Sequence, residues 1–222
     1  AFVDVRPKLD RDKDKRLVSV NYVVNEGPRV YVERINITGN VRTLDYVIRR
    51  EFRLAEGDAF NTAKLRRSRE RIRALGFFKK VDINQVQGSA PDRTIINVNV
   101  EEQSTGDLSF GVGFSTSEYV LGQVTLQERN LLGRGQNMRT SLSLSTKRQE
   151  IDLGFTEPYF LDREIAAGFD IFEVHSDFQD QSEFDERSTG VVLRASYPLS
   201  ETLSLGVNYK IAADKLIYAK YS

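Results

Sequence analysis

The chain changes its hydrophobic period near residue 104. From Asp107 to Ser115, the stretch DLSFGVGFS sets Leu108, Phe110, Val112 and Phe114 on one side of an extended backbone. Asp107, Ser109, Gly111, Gly113 and Ser115 fall on the other. A period of two predicts a strand with one apolar face and one small or polar face. The pattern recurs to the C-terminus. Val124 and Leu126 alternate with Gln123, Thr125 and Gln127, then Leu142 and Leu144 with Ser141, Ser143 and Ser145. Ile151, Leu153 and Phe155 alternate with Asp152, Gly154 and Thr156, and Ile165, Ala167, Phe169 and Ile171 with Ala166, Gly168 and Asp170. Val191, Leu193, Ala195 and Tyr197 oppose Val192, Arg194 and Ser196; Leu203, Leu205, Val207, Tyr209 and Ile211 oppose Ser204, Gly206, Asn208 and Lys210. Seven strands are expected, with Asp152, Asp170, Arg194 and Lys210 all on the polar face. The connections 130–135, 157–162 and 198–201 read as short, with Tyr159, Phe160 and Tyr197 placed for an interfacial girdle. Residues 175–186 read as a longer acidic loop.

The first hundred residues mix periods. Residues 2–5 and 17–24 have strand composition around a charged turn at 10–16, and two strands alone are too few to fold stably. After Glu26-Gly27-Pro28, a strand is predicted over 30–38, ended by Gly39-Asn40. Thr43 is expected to cap a short helix over 44–52, with Asp45 in its first turn. Asn61 is expected to cap a second helix over 62–75 that Gly76 ends. Leu65, Ser68, Ile72 and Leu75 share one face of that helix, with Lys64, Arg66, Arg67, Arg69, Arg71 and Arg73 around the remainder. Strands over 78–87 and 93–102 flank the turn 88–92. The order β-α-α-β-β in about 75 residues is a small α+β module.

The formal net charge of +0 conceals an asymmetry: residues 1–103 hold 21 of the 32 basic and 15 of the 32 acidic residues, and 104–222 the other 11 and 17. Halves of +6 and −6 imply two environments or two sets of partners. With no cysteine there is neither a disulfide framework nor a thiolate metal site. No apolar run reaches the ~18 residues of a transmembrane helix, but strands of alternating pattern span membranes at low mean hydropathy. The arginine-rich helix lacks interleaved aromatic residues for base stacking, so it reads as a solvated or partner-facing surface rather than a nucleic-acid site. The one histidine, His175, stands at the edge of the expected acidic loop. No nucleophile elbow, phosphate loop or dinucleotide fingerprint occurs, so neither an enzyme nor a cofactor site is expected. Period alone leaves two homes for the strand half: a soluble β-sandwich, giving a periplasmic docking module, or a membrane barrel with lipid outside and water inside.

The first half resembles a POTRA domain, on Glu26-Gly27-Pro28, Ile37-Thr38-Gly39-Asn40, Ile48-Arg49-Arg50-Glu51, Glu56-Gly57-Asp58 and Leu75-Gly76-Phe77-Phe78 in that order. The second half resembles the first barrel strands of the BamA family, on the run Leu108–Phe114, Asn130-Leu131-Leu132-Gly133-Arg134-Gly135 and Thr156-Glu157-Pro158-Tyr159-Phe160. The resemblance implies a POTRA module followed by an all-β antiparallel transmembrane barrel, present as its N-terminal strands. Residues 1–25 would close a preceding POTRA domain, 26–103 form a second, and 104–222 begin the barrel. Seven strands would be part of a larger closed barrel, and the chain a fragment or mature piece. It implies assembly and insertion of outer-membrane β-barrel proteins; a related two-partner or autotransporter translocation pore is the alternative. Partners would be unfolded outer-membrane proteins, periplasm-facing lipoproteins and outer-membrane lipid, with no nucleic acid. Three sites are expected. Leu108, Ser109, Phe110, Gly111, Val112, Gly113 and Phe114 would form a lateral-gate strand. Val81, Asp82, Ile83, Asn84 and Gln85 would form a sheet edge that takes client strands. Glu56, Gly57 and Asp58 would form a flexible acidic loop that meets a partner.

Overall fold

The computed structural model describes residues 3–12, 17–26, 29–116, 118–178, 184–200 and 202–218, which divide into two compact units, 1–103 and 104–222. Residues 13–16 of the expected charged turn, and Gly27 and Pro28 of the motif after it, lie outside the described residues.

In the first unit, β1 (Val3–Asp12) and β2 (Leu17–Glu26) form an antiparallel hairpin in unbroken register, Val3 opposite Glu26 and Asp12 opposite Leu17. β1 therefore runs seven residues past the stretch 2–5 that has strand composition, and β2 starts as expected at Leu17 and runs two residues past Val24. The α+β module follows as β3 (Tyr31–Thr38), α1 (Asp45–Arg49), α2 (Thr62–Ala74), β4 (Phe78–Gln87) and β5 (Arg93–Glu102). Its sheet order is β3-β5-β4, with β3 parallel and β4 antiparallel to the central β5. Thr94, Ile96, Val98 and Val100 of β5 all point into the core, as period two requires. The edge strands each carry a bulge, between Val32 and Arg34 and between Phe78 and Lys80. The extra residue turns Ile35 to the same side as Val32, and Val81 to that of Phe78, and all four are buried. Leu65, Ser68 and Ile72 are the buried face of α2, and Val47 and Ile48 that of α1.

The caps divide. Asn61 Oδ1 accepts from the N–H groups of Ala63 (2.9 Å) and Lys64 (3.1 Å), and Gly76 ends α2 at φ 71°, both as expected. Thr43 is not a cap. Leu44 holds that position without a side-chain bond, and α1 stops at Arg49 rather than Phe52. Thr43 is buried, and its N–H (2.7 Å) and that of Arg42 (2.9 Å) are accepted by Glu102 at the far end of β5. A distant carboxylate thus does the work that the local motif assigns to a hydroxyl. Gly39 (φ 89°) precedes this turn, and a Cβ there would overlap the Val100 carbonyl, so only glycine fits.

The second unit is one antiparallel meander. It comprises β6 (Gly106–Ser115), β7 (Tyr119–Leu131), β8 (Gln136–Ser145), β9 (Arg148–Glu157), β10 (Ala166–Asp177), β11 (Phe184–Pro198) and β12 (Ser204–Tyr218), paired in sequence order. The connections at the end where the chain enters β6 are 132–135, 158–165 and 199–203; those at the other end are 116–118, 146–147 and 178–183. Length does not distinguish the two ends, contrary to expectation. The predicted acidic loop 175–186 is mostly strand: His175 pairs with Arg187 and Asp177 with Asp185, and 179–183 lie outside the described residues. The alternation is lost to the eye there because Glu173, which register sets opposite Ile151 of the apolar face, pairs with Arg187 at 2.5 Å. No described helix is long and apolar enough to cross a membrane.

Partial burial works against ionisation of Glu102, yet the hydrogen bonds from Thr43 and Arg42, aided by the Arg42 charge, outweigh it and hold its carboxyl below the usual range. A depressed folded-state value gives stability above the unfolded value and loses it as pH falls through the folded one. The protection of the Arg42 and Thr43 amides against exchange, relative to the unfolded chain at the same pH, is therefore expected to fall below about pH 4, at and under the ordinary glutamate range. Glu102→Gln is expected to reproduce part of that loss at pH 7 and to remove its pH dependence, and a variant as well protected at pH 7 as the unaltered protein would contradict the clamp.

Candidate functional site

β6 pairs along one edge only, with β7, from Gly106 opposite Glu128 to Ser115 opposite Tyr119; among the described residues its other edge faces no strand. Leu108, Phe110, Val112 and Phe114 line one face and stand exposed, Phe110 at 73% and Val112 at 86%. On the other face Gly111 and Gly113 leave the backbone bare between Ser109 and Ser115. Space does not require these glycines: a Cβ at 111 would meet Gln123 at an ordinary 3.8 Å, and one at 113 would meet nothing within 4 Å. Elsewhere space does require glycine. A Cβ at 154 would come within 2.6 Å of Asp170 Oδ1, and one at 190 within 2.6 Å of the Ile211 carbonyl. The start of β6 is tied down, with Thr105 Oγ1 donating to Glu128 Oε1 at 2.5 Å and the Asn130 N–H to the same oxygen at 2.8 Å.

The polar face carries three sets of paired groups. Arg194 reaches Asp170 through two nitrogens, at 2.6 and 2.9 Å, and donates to Thr156 Oγ1 at 3.2 Å. Arg139 pairs with Asp152 at 3.1 Å and Gln127 donates to Asn137 at 3.2 Å. All of these groups except Asp152 line, with Gly154, a concavity of about 470 Å³. Lys210 stands 4.7 Å from the centre of the Phe172 ring. Sequence alternation places Asp152, Asp170, Arg194 and Lys210 on this face; Arg139, in step with Ser141 and Ser143, carries the same signal and was missed.

The two other expected sites sit on opposite edges of the three-stranded sheet. Loop 54–60 covers the outer edge of β3. Glu56 Oε1 accepts the Ile35 N–H at 3.0 Å and pairs with Arg49 at 3.4 Å. Gly57 (φ 92°) donates to the Val32 carbonyl at 2.7 Å, and the Asp58 carbonyl accepts the Val32 N–H at 2.9 Å. β4 is the opposite edge, with Val81 and Ile83 buried and Asn84 and Gln85 exposed. Val98, opposite Ile83, turns its carbonyl toward β3, where Thr38 Oγ1 takes it at 3.3 Å, so Ile83 turns its own carbonyl outward. There Arg69 of α2 donates to the Ile83 carbonyl at 2.8 Å and Arg73 to that of Val81 at 3.5 Å. Asp82 pairs with Lys80 at 2.8 Å.

A β-α-α-β-β module followed by a meander, apolar on one face and carrying paired charges on the other, is the build of a POTRA-bearing outer-membrane barrel protein. Residues 30–103 match the POTRA family, described as a surface antigen variable number repeat, and residues 130–221 match the Omp85 superfamily domain. The chain is 33% identical over 95% of its length to the outer membrane protein assembly factor BamA of Nitratidesulfovibrio vulgaris, and 31% over 90% to BamA of Neisseria meningitidis. It covers 26% and 25% of those proteins, so it spans about a quarter of the curated relatives that it matches. The crystal structure of BamA from Haemophilus ducreyi lacking POTRA domains 1–3 superposes with a TM-score of 0.79 at 26% identity, over 96% of this chain and 41% of that one. The chain belongs to the BamA family. Its POTRA part is periplasmic and its barrel strands lie in the outer membrane, which removes the soluble-sandwich reading and turns the apolar face to lipid.

Proposed function

We propose that this chain forms part of a factor that assembles and inserts outer-membrane β-barrel proteins, with β6 as one side of a seam that opens toward lipid. The observation that carries the reading is β6 itself: a lipid-facing strand whose polar side is bare at Gly111 and Gly113 although side chains would fit there. A seam between β6 and a closing strand gains little from cross-strand side-chain pairs. Once opened, its backbone groups cost several kcal/mol each in hydrocarbon, so an incoming client strand that pairs with them stabilises the open state. The names of the relatives support the assembly role. Gly111→Val with Gly113→Val adds side chains where room exists and strengthens the seam. Insertion of a urea-denatured barrel client into liposomes is expected to slow about fivefold, equivalent to ~1 kcal/mol. An unchanged rate would refute the seam; a variant that still passes a soluble passenger but never inserts a client would favour a translocation pore.

Clients are proposed to arrive as extended segments on the β4 edge at Val81–Gln85, adding a strand to the POTRA sheet. Arg69 and Arg73 must leave the Ile83 and Val81 carbonyls for this to happen. Gln85 shares the outward backbone direction of Ile83, yet its side chain is exposed, so Gln85→Pro deletes a donor without disturbing the core. Client crosslinking to β4 is expected to fall in Gln85→Pro and to rise in Arg69→Ala with Arg73→Ala; movement of neither would count against strand addition.

Residues 1–25 are proposed to close a preceding POTRA module, and Glu56-Gly57-Asp58 to meet a periplasm-facing lipoprotein partner. Glu56→Gln keeps an acceptor for the Ile35 N–H while removing the charge. Partner co-purification is expected to weaken at low salt and to converge with the unaltered protein at high salt, as an exposed charge contact requires. Equal recovery at low salt would end the idea.

A further inference from the structure

Three turns occupy the end of the meander where the chain enters β6, and each leaves large apolar side chains exposed: Leu132, then Phe160 and Leu161, then Leu199. Two of the turns do so on unfavourable backbone. Leu132 has φ 54° and Gly133 φ 72°, and the Arg134 N–H donates to the Leu131 carbonyl at 3.1 Å, closing a two-residue turn of the mirror type. Such turns favour Asn-Gly, and a leucine Cβ is disfavoured in the left-handed region. Leu161 repeats the anomaly at φ 56° and ψ 39°, followed by Asp162 at φ 57°. Packing within the protein does not compensate, since Leu132 is 77% and Leu161 76% exposed. Polar side chains would suit both positions better in water, on backbone grounds and on solvation grounds alike. Backbone strain of this kind persists where something outside the local geometry makes it worthwhile.

The surroundings identify what meets these turns. Tyr197 and Leu205, opposite one another in register, carry the lipid-facing apolar band down to Leu199 and Leu203. Charge near the turns is mixed: Arg134 and Arg163 are exposed, but so are Asp162 and Glu164. A surface continuous with the lipid band, apolar at its tips and without one dominant sign of charge fits the boundary between phospholipid headgroups and acyl chains. We propose that Leu132, Phe160, Leu161 and Leu199 are interfacial anchors that enter the periplasmic leaflet, holding the base of β6–β12 at a fixed depth. The contact depends on apolar area, so salt leaves it in place.

These 222 residues hold no cysteine, and in the full-length protein, with any cysteine elsewhere replaced by serine, single cysteines at Leu132 and Leu161 can carry an environment-sensitive fluorophore after reconstitution into phosphatidylethanolamine–phosphatidylglycerol vesicles. Asp92→Cys, in the β4–β5 turn, is the water-facing control. Nitroxides on the lipid headgroup and the upper acyl chain are expected to quench the labels at 132 and 161 about fivefold more than at 92, with aqueous iodide showing the reverse order. The pattern is expected to persist in high salt. Labels at Phe160 and Leu199, outside the left-handed region, carry the same expectation and replace the first pair if a substituted turn misfolds. Iodide access equal to that at 92, without lipid quenching, would overturn the proposal and leave these turns to a protein partner. Client insertion does not enter the readout, so the anchors stand or fall independently of the seam.

Discussion

The controlling constraint is that every strand edge must find partners for its peptide groups, and the chain meets it differently in its two environments. In water an open edge is tolerable but adhesive. The POTRA sheet therefore covers both of its edges, with loop 56–60 bonded along β3 and Arg69 and Arg73 laid over two outward carbonyls of β4. The first cover is mostly main-chain, with the Glu56 carboxylate added at Ile35. The second consists of two arginine side chains, and the proposed strand addition at β4 requires them to swing away. In hydrocarbon the constraint is severe, and within the meander β7 to β11 satisfy it by pairing on both sides.

The interior of the meander shows what a committed seam looks like. Across β9, β10 and β11, Asp170 and Arg194 lock together, Thr156 joins them, and glycine at 154 and 190 lets these groups and the neighbouring backbone approach closely. Nothing comparable crosses Gly111 and Gly113, where from Ser109 to Ser115 the polar face of β6 presents only backbone and small hydroxyls. The difference between the two regions lies in side chains rather than in backbone pairing. Side-chain interlock crosses β9 to β11 and is absent at Gly111 and Gly113, as the proposed seam requires.

Much of this architecture is legible in the sequence, because period and punctuation report local physics. Asn61 and Gly76 bracket α2, the bounds of β4 and β5 follow from their alternation and turn residues, and seven strands can be counted from Asp107 onward. The misreadings arise where distant groups override local ones. Thr43 looks like a cap, but Glu102, nearly sixty residues away, takes its N–H. Glu56 looks like a free acid in a loop, and only the folded sheet reveals the Ile35 N–H that it serves. Residues 175–186 look like a loop because charges occupy both faces once the strands pass the apolar band. Arg69 and Arg73 read as solvated helix surface, since helical spacing cannot report which carbonyls lie beneath them. For the β6 seam, sequence supplies the glycines, and the structure adds that side chains would have fitted in their place.

The most direct test of the central claim joins Ser109→Cys by a disulfide to a cysteine at the position that faces it on the closing strand. With the seam locked, insertion of a denatured barrel client into liposomes should fall by about tenfold or more, the equivalent of ~1.4 kcal/mol in the barrier, and reductant should restore it. Insertion at the normal rate through a fully locked seam would contradict the account and would point to thinning of the bilayer around a closed barrel.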